Sequence, residues 1–191
     1  MRTCLIMTNQ LDATVAALCF RFEQANYRVT LLLPDEDNVR EIQRRVDHLH
    51  LGADIEICKT SVQDWLEGFP VQHGMSSLLI AYQDVISHLN EWVKFPSVNV
   101  IRIVEESSAA SLPVWANANT IVMAHIGAAT VAQEKWDISL DQRNGRAYEV
   151  AMLALYLASD EAAHIRNATI MVHSGRCLGP GEGVSCGIPG K

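Results

Sequence analysis

No stretch of this chain is apolar for long enough to cross a bilayer, although hydrophobic residues make up 49% of its 191 positions. Its first residues carry no basic segment leading into an apolar stretch and a cleavage site, so the expectation is a cytoplasmic protein. Positive charge is in short supply. The chain has 15 Lys and Arg against 22 Asp and Glu, a formal net charge of −7. Nucleic acid and anionic membrane surfaces are therefore poor partners, because neither finds a basic patch to meet it. The same balance argues against this chain offering the main surface for a large polyanionic ligand such as a coenzyme A ester. Paired cysteine patterns are missing too. Cys4, Cys19, Cys58, Cys177 and Cys186 are odd in number and contain no C-x-x-C. The expectation is reduced thiols packed as small apolar residues, with a Cys177–Cys186 bridge as the lesser alternative.

What the chain does have is a regular alternation of apolar runs and helical stripes. The runs Thr3–Asn9, Tyr27–Leu33, Asp54–Cys58, Ser77–Tyr82, Asn99–Val104, Asn119–Ile126 and Ala168–His173 read as buried strands. Between them, Ala13–Ala25, Asp37–Leu51, Val85–Val93 and Gly145–Ser159 carry apolar residues at helical spacing, and a brief helix starts near Ser61. Strands separated by helices call for right-handed crossovers, hence a doubly wound, mostly parallel sheet with helices on both faces. The length suits one such α/β domain, expected over residues 1–178. Gly179–Lys191 (GPGEGVSCGIPGK) has no periodicity and is expected to be an extended C-terminal tail.

The most informative absence is local. The first strand runs into the first helix through Thr8, Asn9, Gln10, Leu11 and Asp12, a turn without glycine. In sheets of this kind a dinucleotide's diphosphate rests on backbone N–H groups at that helix N-terminus, and glycines let the backbone come close. Here side chains fill the turn, and Asp12 brings a carboxylate to the place an anion would take. The expectation is a turn that holds no nucleotide.

The C-terminal third carries a resemblance. Glu149–Ala162 (EVAMLALYLASDEA) followed by Ile165–Gly175 (IRNATIMVHSG) resembles the final helix and strand of the short-chain dehydrogenase/reductase family, whose last helix closes in leucine–alanine–serine–aspartate. The N-terminal strand, helix and second strand fit that family as well, and Asn119–Thr130 (NTIVMAHIGAAT) resembles its sixth strand and the turn after it. The resemblance implies a Rossmann-like domain of about seven parallel strands.

The departures from the family pattern carry the functional expectation. The asparagine–alanine–glycine that follows the fourth strand reads Ala81-Tyr82-Gln83-Asp84. The catalytic tyrosine–three residues–lysine is absent, since Tyr27, Tyr82, Tyr148 and Tyr156 are followed four positions later by Leu31, Ile86, Met152 and Asp160. That lysine lowers the tyrosine's pKa so that it can exchange a proton with substrate. Ser107 and Ser108 match the family's catalytic serine in position, yet without the pair neither has a base. The gaps between strands four, five and six are too short for the family's long middle helices. The last helix and strand, which build a subunit interface in the family, are preserved. The resemblance therefore implies a non-catalytic subunit without bound cofactor. It would pair, in a heterotetramer, with a full-length catalytic homologue that binds NAD and oxidises a hydroxyacyl-CoA, as in anaerobic toluene breakdown. Leu153, Leu157, His164, Ile170, Val172 and His173 are the expected interface residues.

Other residues admit a second function class. Glu105, Glu106 and His125 fall near the C-terminal ends of two adjacent strands, where open sheets bind ligands. A carboxylate and a histidine there suit cofactor-independent lyase or isomerase chemistry, or small-ligand binding. The plainer reading is a solvated sheet edge. Asp35 reads as an acid at a helix start. His48 and His50, two apart on a helix, point to different faces, and no metal site is expected. Trp65, Trp92, Trp115 and Trp136 read as core or interface packing.

Overall fold

Seven parallel strands form one sheet in the order β3-β2-β1-β4-β5-β6-β7 in the computed structural model, which describes residues 2–34, 36, 38–57, 77–82, 99–105, 118–123 and 145–172. The strands are β1 (Arg2–Met7), β2 (Tyr27–Leu33), β3 (Asp54–Ile57), β4 (Ser77–Tyr82), β5 (Asn99–Glu105), β6 (Ala118–Met123) and β7 (Thr169–Val172). The described helices are α1 (Ala13–Gln24), α2 (Val39–His48) and α3 (Gly145–Leu157), with a short 3-10 turn at Asp160–Ala162. The doubly wound α/β expectation holds. The expected helices near Ser61 and over Val85–Val93 lie outside the described residues, as do Asp35, Cys58, Ser107, Ser108, the four tryptophans and the tail.

The strands are near-continuous apolar runs because both faces of a parallel sheet are covered. Alternate side chains point to opposite faces. On one face Leu31, Ile6, Ile80 and Ile101 lie across the sheet in register, Ile103 pairs with Ile121 two residues further on, and all of them join a single core with α1 and α3. The helix α1 sends Val15, Leu18, Cys19 and Phe22 into it. The helix α3 adds Val150, Ala151, Ala154 and Leu157, and the two small alanines let α1 and α3 pack together. Full burial of each larger side chain contributes about 1.5–3 kcal/mol. Arg21 ties the outer seam, its guanidinium 4.2 Å from the ring centre of Tyr148.

Element ends follow local chemistry. The strand β1 stops at Met7, short of the expected Asn9, because the Thr8 hydroxyl folds the chain back. It accepts the Gln10 N–H at 3.1 Å and donates to the Gln10 carbonyl at 2.8 Å. The helix α2 covers the centre of the expected Asp37–Leu51 span. His50 ends it in the left-handed region at φ 52°, with the Leu51 N–H donating to the Val46 carbonyl. Asn26, at φ 61°, turns the chain after α1 in the same way. Ahead of β7, the Asn119 side chain donates to the Ile165 carbonyl at 2.9 Å and accepts the Ala168 N–H at 3.1 Å, which fixes the last strand against β6.

Candidate functional site

The strand order reverses between β1 and β4. Crossovers from those neighbours leave in opposite directions, so the region beyond their C-terminal ends is where an open α/β sheet binds ligands. Two described segments line it here, the turn Thr8–Asp12 and the end of β4 at Tyr82.

Asp12 caps α1. Its Oδ1 accepts the Val15 N–H at 2.8 Å, and its backbone carbonyl accepts the Ala16 N–H at 3.0 Å. Its second oxygen, Oδ2, accepts the Tyr82 hydroxyl at 2.7 Å. Leu11 is 1% exposed, its side chain turned into the core. From α2, Arg45 donates to the Leu11 carbonyl at 3.2 Å and pairs with Glu41, which secures the turn from the far side. Tyr82 is 5% exposed. Burial, then the Asp12 carboxylate, pushes its hydroxyl well above the usual tyrosine range, with a further smaller push from Glu105. Thr14 is buried beside it and donates to the Met123 sulfur at 3.9 Å.

The turn does not fit a diphosphate. Such a group needs open N–H donors and a backbone it can approach. The Val15 and Gln10 amides already have side-chain acceptors from Asp12 and Thr8. The carboxylate stands at the end of the helix that favours an anion, so it takes up the dipole's attraction itself. Its side chain and that of Thr8 occupy the turn where glycines would leave room.

Of the other expected positions, only some fall among the described residues. Glu105 ends β5, exposed, in register with Met123 of β6. Glu106 and His125 lie outside the described residues. Of the interface set, Leu157 is 2% exposed and belongs to the chain's own core. Leu153, Ile170 and Val172 are half-buried against that core, His164 is exposed, and His173 lies outside the described residues. The most exposed apolar side chains of this region are others, Met152 at 41%, Tyr156 at 43% and Met171 at 49%. Met152 and Tyr156 stand one turn apart on α3, a spacing readable in the sequence. Met171 is on β7, an edge strand. Tyr82 was legible only as a departure from the family's fourth-strand motif. Its partner is remote in sequence, and only the β1–β4 pairing brings the two together.

The architecture defines a class first, a Rossmann-like α/β domain. Among solved structures it matches those of short-chain dehydrogenases and reductases. An actinorhodin polyketide ketoreductase variant solved with NADPH superposes with a TM-score of 0.62 at 14% identity, over 91% of this chain and 96% of that one. A short-chain dehydrogenase/reductase from Burkholderia xenovorans gives 0.60 at 16% identity, over 93% and 98%. A doubly substituted short-chain dehydrogenase/reductase from Serratia marcescens gives 0.60 at 13% identity, over 90% and 96%. At these identities the likeness is one of fold alone. No family model and no curated protein matches the sequence.

Proposed function

We propose that this chain is a non-catalytic subunit of a hetero-oligomeric oxidoreductase, built on a dehydrogenase scaffold and stabilising an active partner. The observation that carries the reading is Asp12. Its carboxylate is bound at the α1 N-terminus and to Tyr82, in the region a coenzyme's diphosphate would need. The missing tyrosine–lysine pair supports it from the sequence. The partner is a full-length catalytic homologue that carries NAD, assembled as a heterotetramer through α3 and β7. The exposed Met152, Tyr156 and Met171 are the apolar surface that such a partner would cover. The shared set of losses resembles the non-catalytic subunit of 2-[hydroxy(phenyl)methyl]succinyl-CoA dehydrogenase from anaerobic toluene degradation. The proposed partner substrate is therefore a hydroxyacyl-CoA.

Titration calorimetry of this chain with NAD and with NADH is the direct test. The expected result is no heat of binding at millimolar nucleotide, and a micromolar dissociation constant would overturn the reading. Affinity purification from the native host is expected to bring down an intact dehydrogenase in stoichiometric amount.

A further inference from the structure

We propose that the Tyr82–Asp12 hydrogen bond is a strut that shuts the ligand crevice of the sheet from within, the phenol ring filling space that a ligand takes in open sheets of this topology. Tyr82 ends β4, and Asp12 caps the helix that follows β1. These are the two lips of the switch point, and the 2.7 Å bond joins them directly. Both members are fully used. Asp12 holds Val15 with one oxygen and Tyr82 with the other, and the tyrosine ring is 5% exposed. Without this bond the buried phenol would keep only the neighbouring Thr14 hydroxyl, and an oxygen of the half-buried carboxylate would lose its donor. The two side chains are thus complementary to each other, and each oxygen of the carboxylate already has a donor. The inference goes beyond the partner-subunit reading and does not rest on it, since the strut would close the crevice equally in a chain that acts alone.

The test is a mutant cycle in the full chain, in whatever assembly it purifies. Asp12→Ser keeps a good cap for Val15 but is too short to reach Tyr82. Tyr82→Phe keeps the ring and removes the hydroxyl. Asp12→Ser is expected to lower the unfolding temperature by about 4 °C or more, because it takes the charged acceptor from a buried hydroxyl and leaves it only Thr14. Adding Tyr82→Phe to that variant is expected to recover part of the loss, since the stranded group is gone. Losses that simply sum would overturn the proposal. Hydrogen exchange gives the second measurement. Cutting the strut by Tyr82→Phe is expected to speed amide exchange at residues 10–15 and 80–82 by about tenfold, while α2 stays unchanged. Unchanged exchange at both lips would show that the bond does not hold them together. Neither result depends on nucleotide titration or co-purification, so this proposal and the subunit reading can fail separately.

Discussion

Arg102 lies mid-strand in β5 and is only 7% exposed, an unusual place for a guanidinium. Its Nε and Nη2 both donate to the Thr120 hydroxyl, at 3.1 and 2.9 Å, across the β5–β6 register. Burial draws its pKa down. Thr120→Val keeps the shape and removes the acceptor, so it is expected to cost about 1–3 kcal/mol in urea unfolding, with Thr120→Ser restoring most of it. Valine without cost would show that the hydroxyl contributes nothing to holding the cation. A second residue-scale expectation concerns alkali. Burial raises the Cys4 thiol, and it raises the Cys19 thiol from its ordinary 9.0 to about 12. Tyr82 shifts the same way. For each, the fold prefers the protonated form. Its stabilising contribution is complete below the unfolded value and is lost as pH rises above it. The urea midpoint should therefore hold through neutrality and fall from about pH 9 upward. The paired substitution Cys4→Ala and Cys19→Ala should flatten the first part of that fall. A wild-type midpoint unchanged at pH 11 would contradict it.

At the scale of elements, hydrophobic pattern was the reliable guide. Tyr27–Leu33 and Ser77–Tyr82 are read in sequence and found in the fold with the same ends, because parallel strands buried on both faces leave unbroken apolar runs. The start of α1 was legible from Asp12, since a carboxylate before an apolar stripe is a cap by chemistry. Ends set by turns were not legible. Thr8 looks like one more β-branched strand residue until its hydroxyl is seen to bind Gln10. His50 gives no sign that it adopts positive φ, which sequence reasoning assigns to glycine or asparagine. The candidate site was legible in part for the same reason. Asp12 announces itself locally, whereas Tyr82 joins it only through strand order. His50 offers a check at this scale. His50→Gly is expected to raise stability by about 0.5–1 kcal/mol, seen as a rise of a few degrees in unfolding temperature, because glycine takes that conformation without steric cost. A loss instead would mean that the histidine side chain contributes more than its backbone costs.

For the whole molecule, the question is where apolar surface remains after the sheet has been covered. The sheet interior is satisfied, with Leu5, Ile6, Leu79, Ile80, Ile101 and Ile103 all at 0% exposure. Among the described residues, what remains besides Phe20 of α1 lies on α3 and β7. Met152 and Tyr156 face outward from α3, and Met171 faces outward from β7, which has no strand on its far side among the described residues. An edge strand with exposed backbone groups beside large apolar side chains is a template for association unless something covers it. Obligate interfaces bury on the order of 2,000 Å² or more, so a lasting partner would cover the whole of this surface rather than single side chains. Produced without the proposed partner, the chain should self-associate, with a sedimentation coefficient that rises with concentration. Met152→Lys together with Tyr156→Lys should suppress that rise and abolish co-purification of the dehydrogenase homologue. Both positions are exposed and lysine is a good helix former, so the unfolding temperature should hardly move. If the doubly charged variant still associates and still captures its partner, the contact lies on another face. The assignment of α3 and β7 as the docking surface would then have to be abandoned, while the crevice strut at the opposite lips of β1 and β4 would be untouched.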